Sequence, residues 1–213
     1  MEKELEDLRE NYGKRELNEN LCPESPFELF ELWINEAISL IQIDANAMAL
    51  TTVGADGQPS SRMVLLKGFV QEKFYFYTHY FGRKGNQMKA NPKVALLFWW
   101  KELERQVRIE GFVQKTSQDE SRAYFQSRPK GSQIGSSASP QSTLITKEQL
   151  IQNFKLLEDK YRNVEKLPLP DDWGGYEVTP HLMEFWQGRP NRMHDRIEYV
   201  LKENIWVRCR LAP

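Results

Sequence analysis

The stretch Ala47-Met-Ala-Leu-Thr-Thr-Val53, Gly54-Ala-Asp-Gly-Gln58, Pro59-Ser-Ser-Arg-Met-Val-Leu-Leu-Lys-Gly-Phe69 and Phe74-Tyr-Phe-Tyr-Thr-His79 decides the fold. Three runs rich in β-branched and aromatic residues follow one another, at residues 47–53, 60–69 and 74–79, and the first two are joined by an Asp-Gly turn signal. Strands joined so tightly are antiparallel, because a parallel pair needs a long crossover. Working outward, residues 93–100 read as a buried strand. Residues 105–115 read as an alternating one, with Val107, Ile109, Gly111 and Val113 on one face. Closing strands are expected at residues 176–178, 184–187, 196–201 and 205–211.

Helices are inserted between these strands. Ser25 and Glu28 are spaced as a capping box with Pro26 at the first helical position, and Phe27, Phe30, Ile34, Ala37, Ile38 and Ile41 carry the helical period to about residue 43. Residues 82–91 read as a short helix. Capping boxes at Ser117/Glu120 and Thr146/Gln149 open two more. Residues 131–142, rich in Ser and Gly, read as a loop, and residues 167–170 as a Pro-rich linker. The sum predicts a mainly β fold, a small closed or half-closed barrel of antiparallel strands with peripheral helices. A doubly wound dinucleotide fold lacks its strand-helix alternation and its Gly-rich turn. Residues 1–24 read as a mobile arm and residues 25–213 as one domain.

The 213 residues carry a formal charge of −1, so no global positive field draws the chain to nucleic acid or an anionic membrane. Cys22 and Cys209 make no disulfide framework. The N-terminus lacks a secretion signal and nothing approaches a membrane span, so a reduced, cytoplasmic setting is expected. His79, His181 and His194 sit in no ligand-spaced motif, and no metal site is expected.

Cations beside aromatic strands are the candidates for chemistry. Arg83-Lys84 at a helix start suits a phosphate cradle, although plain surface charge reads the same way. Arg62 lies within an apolar strand and needs a partner if buried. Arg62 and Lys67 have opposite parity, so either a bulge intervenes or they touch different parts of a ligand. The Gln106 amide could read the edge of a flat heterocycle, or simply be a half-exposed strand residue. Tyr124 with Arg128-Pro-Lys-Gly-Ser132 suits a second phosphate, or is a charged loop at a helix end. If residues 192–196 are extended, Arg192, His194 and Arg196 share one face, with Trp186 near by. The alternative is a basic edge strand that resists aggregation.

Together these motifs resemble the pyridoxamine 5′-phosphate oxidase family over nearly the whole chain. The resemblance lies in Arg62-Met-Val-Leu-Leu-Lys67, Tyr77-Thr78, Arg83-Lys84, Leu103-Glu-Arg-Gln-Val107, Tyr124-Phe-Gln-Ser-Arg-Pro129 and Ser132-Gln-Ile-Gly135. It continues through Trp173-Gly-Gly175, Glu184-Phe-Trp-Gln-Gly188, Asn191-Arg-Met-His-Asp-Arg196 and Arg210-Leu-Ala-Pro213. The chain departs from the family's usual pattern at His79, where Asn is usual, and at Gly82, where Ser is usual.

The resemblance implies an FMN-binding split-barrel homodimer with the flavin at the subunit interface. It implies that FMN is held by Arg62, Met63, Val64, Leu65, Leu66, Lys67, Tyr77, Thr78, Arg83, Lys84, Gln106, Gln141, Ser142, Trp186 and Arg196. The substrate phosphate would be held by Lys67, Tyr124, Arg128 and Ser132. Arg192 and His194 would lie over the pyridine ring as the catalytic pair, with Arg9 and Tyr12 in a segment that folds over it as a lid. The implied reaction oxidises pyridoxamine or pyridoxine 5′-phosphate to pyridoxal 5′-phosphate. Hydride passes from C4′ to flavin N5, and O2 is reduced to H2O2. Two other classes compete: a split-barrel flavin reductase with another donor, and a non-catalytic flavin- or haem-binding module. The reductase gives no reason for both the Tyr124-Arg128-Ser132 and the Arg192-His194 sets, and absence of flavin reduction by pyridoxamine 5′-phosphate would favour the module.

Overall fold

The expected strands organise the molecule, and what joins them differs from expectation in three places. The computed structural model describes residues 12–41 and 43–213. Among them are helices α1 (Pro26–Leu40), α2 (Arg83–Ala90), α3 (Gln118–Ser127), α4 (Lys130–Ala138) and α5 (Lys147–Lys160). The strands are β1 (Ala47–Val53), β2 (Pro59–Leu65), β3 (Gly68–Val70), β4 (Lys73–His79), β5 (Lys93–Trp100), β6 (Arg105–Lys115), β7 (Trp173–Gln187), β8 (Asp195–Lys202) and β9 (Ile205–Leu211). They hydrogen-bond in the order β2-β1-β5-β6-β7-β4-β3, with β8 on β7 and β9 on β8. The β3–β4, β4–β7, β7–β8 and β8–β9 pairs are antiparallel. The mainly antiparallel class with peripheral helices is therefore as expected.

The chain divides into two compact units, Met1–Leu50 with Ala95–Gly111 and Pro180–Pro213, and Thr51–Val94 with Phe112–Thr179. In the first, α1 starts where the Ser25 side chain accepts the Phe27 N–H and not that of Glu28, so Ser25 caps the helix without the capping box expected there. It buries Phe27, Phe30, Trp33 and Ala37. Phe30 packs 5.3 Å from Phe98, and Trp33 edge-on 5.3 Å from Phe185. Arg105 is buried with them. Its guanidinium lies 4.3 Å from the Trp33 ring centroid and donates to Glu36 (2.6 Å) and Gln187 (2.9 Å), which offsets the cost of burying its charge. Residues 12–24 are tied down at several points. Glu104 accepts the Gly13 and Lys14 N–H groups, Asp195 accepts the Leu17 N–H, and the Tyr199 hydroxyl donates to the Pro23 carbonyl.

In the second unit, Phe125, Ile134, Leu167 and Trp173 form a buried cluster against which Tyr77, Tyr124 and Phe154 pack. Both capping boxes form, Ser117 with Glu120 and Thr146 with Gln149. Residues 131–142, expected as a loop, are helical as far as Ala138, because Gln133, Ile134 and Ala138 find buried places that override the weak propensity of their Gly and Ser neighbours. The strand expected over residues 60–69 breaks between β2 and β3, where the Lys67 N–H turns to the Tyr75 carbonyl. Two expected strands, residues 176–178 and 184–187, are one strand, β7. Pro180 offers no ladder donor, and the division between the units falls there.

Candidate active site

A cavity of 540 Å³ opens in the second unit. Its walls come from β2 and the chain after it (Arg62, Met63, Val64, Leu65, Lys67), β4 (Tyr77, Thr78, His79), Lys84 of α2, Tyr124 and Arg128 around the end of α3, and Ser132 and Ser136 of α4. Gln141 and Trp173 complete it. The volume falls in the usual range for small-molecule and cofactor pockets, about 300–1,000 Å³. The break after β2 settles the parity problem, since Arg62 and Lys67 both line this one cavity.

One set of cations gathers near the start of α2. Arg62 donates to Thr52 Oγ1 at 2.7 Å and to Ser60 Oγ at 2.5 Å. Lys84 Nζ donates to Thr78 Oγ1 at 3.1 Å and to Gln141 Oε1, both neutral oxygens. Burial first, then the Arg62 charge, pushes the Lys84 ammonium below its ordinary value, and burial and Arg83 push Arg62 down. An anion here would relieve the repulsion. The helix start adds to the attraction: Gly82 caps α2 without a side chain, and the Arg83 N–H donates to Ser142 Oγ at 3.1 Å. A Cβ at Gly82 would stand 2.7 Å from Gln141 Oε1, so glycine is what lets Gln141 cross the helix start.

The second set sits at α3 and α4. Arg128 Nη1 donates to Ser136 Oγ at 2.8 Å, and its guanidinium lies 4.9 Å from the Trp173 ring centroid. Burial lowers its pKa, and Tyr124 opposes that shift. Tyr77 and Tyr124 stack at 3.8 Å, with Trp173 nearly parallel to Tyr124 at 6.2 Å. Burial raises both tyrosine pKa values, so each keeps its hydroxyl proton as a donor. Two cation sets and an aromatic stack in one cavity suit planar ligands that carry anionic groups.

Of the expected site residues in this unit, Leu66 is buried and does not line the cavity, and neither do Arg83 and Ser142, both exposed. Sequence reasoning missed His79, Ser136 and Trp173. His79 is buried with Nδ1 3.3 Å from Asp172 Oδ2, which gives the unusual histidine a partner. Ser136 lies one helical turn beyond Ser132 and was hidden by the loop assignment.

Gln106, Trp186, Arg192, His194, Arg196 and Tyr12 belong to the first unit. Trp186 lies 4.7 Å from His194 and 5.7 Å from Tyr12, and Trp99 lies 6.0 Å from Trp186. A Cβ at Gly188 would come within 2.7 Å of Tyr12, so glycine admits that ring. Residues 192–196 are not extended throughout, which corrects the expected shared face. A 3-10 turn at Pro190–Arg192 puts Asn191 (φ 57°) and Arg192 (φ 61°) in the left-handed region, and the strand begins only at Asp195. The Arg189 N–H closes this turn by donating to His194 Nδ1 at 3.1 Å. Burial, then Arg192, lowers the His194 pKa against the opposing pull of Asp195. The ring is thus neutral near pH 7 with its proton on Nε2. Arg9 lies outside the described residues. Among those described, no group of His, Cys, Asp or Glu is placed to hold a metal ion, and no helix is long and apolar enough to cross a membrane.

Comparison with known proteins agrees with this geometry. Residues 34–167 match the model of the pyridoxamine 5′-phosphate oxidase family, and residues 173–213 match the pyridoxine 5′-phosphate oxidase C-terminal dimerisation region. The chain belongs to the pyridoxamine 5′-phosphate oxidase family. It is 50% identical to a pyridoxine/pyridoxamine 5′-phosphate oxidase of Acaryochloris marina, over 98% of this chain and 95% of that one. It is 48% identical to one of Synechocystis, over 98% of both. Among solved structures, PhzG from Burkholderia lata, in complex with tetrahydrophenazine-1-carboxylic acid, matches with a TM-score of 0.89 at 29% identity, over 95% of this chain and 100% of that one. A pyridoxamine 5′-phosphate oxidase-related FMN-binding protein of Nostoc punctiforme has the same fold, with a TM-score of 0.71 at 16% identity over 89% and 98%. As a member of this family the protein is an oxidoreductase on an FMN-binding, split-barrel fold.

Proposed function

We propose that the protein oxidises C4′ of pyridoxamine and pyridoxine 5′-phosphates to give pyridoxal 5′-phosphate, with FMN as cofactor and O2 as electron acceptor. The observation that carries this reading is that four cations line one cavity in two groups, Arg62 with Lys84 and Arg128 with Lys67. Each suits one phosphate. Lys84, Arg62, Thr78 and the start of α2 would hold the flavin phosphate. Arg128, Tyr124, Ser132 and Lys67 would hold the substrate phosphate. FMN, held by Arg62, Lys84 and Thr78, would supply the two-electron oxidation at C4′, accepting hydride at N5 and passing two electrons with two protons to O2 to give H2O2. With the amine substrate, water then releases ammonia from the resulting imine.

The protein's own part is placement and charge. A homodimer is part of the proposal, with one copy supplying the cavity and the second supplying Gln106, Trp186, Arg192, His194 and Arg196. The match of residues 173–213 to a dimerisation region supports it. With Nδ1 occupied by the Arg189 N–H, His194 can only donate through Nε2, so its role is to orient the substrate and not to take a proton. Tyr12, against Trp186 and His194, would close over the substrate together with Arg9. A cytoplasmic setting, with Cys22 and Cys209 as free thiols, completes the reading.

The likeness to PhzG favours one second reading, a carboxylated heterocycle as substrate. With the flavin phosphate on Arg62 and Lys84, a carboxylate would meet Arg128 and Lys67, but Tyr124 and Ser132 beside them suit the additional oxygens of a phosphate. Steady-state assays with pyridoxamine 5′-phosphate, its dephosphorylated form and a carboxylated heterocycle test both. Dependence of kcat/KM on the substrate phosphate is expected, and preference for the carboxylate would overturn the reading.

A further inference from the structure

We infer that Glu184 is the positioning residue for Arg196, which the family resemblance sets against the flavin, and the inference rests on the proposed function, in which a second copy brings Arg196 to the flavin cavity. Glu184 is 3% exposed, yet it carries a charge that the mechanism does not use. A buried carboxylate is costly unless paired. Here it sits between two guanidinium groups. Its Oε1 accepts from Arg196 Nε at 2.8 Å, and its Oε2 stands 2.9 Å from Arg108 Nη2, a contact not aligned for a hydrogen bond.

The strands explain why the three meet. Glu184 and Trp186 are two residues apart on β7 and share a face, and Arg196 lies directly opposite Trp186 on β8. Arg196 reaches diagonally back to Glu184. Arg108 alternates with Gln106 on the half-exposed face of β6. The Arg196 Nη1 is taken by the Ala212 carbonyl at 2.9 Å. With Nε and Nη1 both held, the guanidinium plane is fixed, and Nη2, which makes no hydrogen bond among the described residues, is the edge left to meet a ligand. Glu184 is the buried carboxylate on this face, while Glu110 lies 3.7 Å from Arg108 and Glu198 also acts on Arg196, so Glu184 contributes to the local field as well as to the geometry.

The two roles separate by substitution in the flavin-loaded protein. Glu184→Gln keeps an acceptor for Nε and removes the charge; Glu184→Ala removes both. FMN dissociation constants, read by flavin fluorescence, are compared for these variants, for Arg196→Ala and for the double variant Glu184→Ala/Arg196→Ala. Arg196→Ala and Glu184→Ala are each expected to weaken FMN binding about tenfold or more. The double variant should be no weaker than Arg196→Ala alone, because Glu184 acts through that residue. Glu184→Gln should bind within about threefold of the parent, and its bound flavin should have a more positive midpoint potential, since a nearby negative charge is gone. A purely structural role would leave that potential unmoved. Independent losses in the double variant, or parental binding by Glu184→Ala while Arg196→Ala is weakened, would overturn the inference alone. Parental binding by Arg196→Ala would instead remove the reading on which it rests. If Glu184→Ala does not fold, an unchanged potential in Glu184→Gln overturns the inference.

Discussion

Replacing Lys84 by Met separates binding from stability in a way only a phosphate site explains. The side chain keeps its length and loses its ammonium. In the parent, Nζ is held by Thr78 Oγ1 and Gln141 Oε1, while burial and Arg62 press its pKa down. A lysine whose folded pKa is depressed is harder to protonate in the fold than in the unfolded chain, so its charge costs stability near neutral pH. Removing it relieves that cost and forfeits two hydrogen bonds of about 1 kcal/mol each, leaving the cofactor-free protein about as stable as before. FMN affinity, by contrast, loses a charge-assisted contact of about 1.5–3 kcal/mol, or roughly tenfold to a hundred-and-fiftyfold. Fluorescence titration of flavin-stripped protein gives the affinity, and thermal unfolding without flavin gives the stability. Arg83→Ala, whose side chain is exposed outside the cavity wall, should lose less. Parental FMN affinity in Lys84→Met would refute the assignment of this cation set to the flavin phosphate.

Arg128→Met should raise KM for pyridoxamine 5′-phosphate by roughly tenfold or more and leave FMN affinity near parental, as steady-state kinetics on loaded protein would read. The His194 ring should titrate below the ordinary imidazole value of about 6.5 in an NMR pH series, because burial and Arg192 disfavour its cation. With the folded pKa depressed, the stability linked to His194 is complete above the unfolded pKa and is lost as pH falls through the folded one. A midpoint above the ordinary value would contradict this. Phe30→Ala, at a fully buried site packed on Phe98, should cost about 3–5 kcal/mol in thermal or denaturant unfolding and leave FMN affinity of the folded fraction unchanged.

What the sequence made legible was what local chemistry controls. The Asp-Gly turn before β2, the Ser25 cap and both capping boxes depend on residues within a few positions of one another, and all formed. Helix α4 was not legible, because burial of Gln133, Ile134 and Ala138 decides it and that burial depends on residues far along the chain. The single strand β7 was obscured by Pro180, which reads as an interruption until its neighbours pair on both sides. The site divides in the same way. Arg62, Lys67, Tyr124, Arg128 and Ser132 were recognisable as residue types in motifs, and the fold brings them to one cavity. Asp172 beside His79, Trp173 beneath Arg128 and Glu184 beneath Arg196 were invisible, since each pairing joins segments separated in sequence. The turn at Pro190–Arg192 defeated the simple alternation of faces, because two left-handed residues there are stabilised by a bond from Arg189 to His194 that no pattern announces.

The most direct test of the account is anaerobic mixing of FMN-loaded protein with pyridoxamine 5′-phosphate while the flavin absorbance is followed. The account predicts bleaching of the oxidised flavin in a single turnover, return of the absorbance when O2 is admitted, and one pyridoxal 5′-phosphate formed per flavin. Stoichiometric FMN that stays oxidised in the presence of saturating pyridoxamine 5′-phosphate would contradict it.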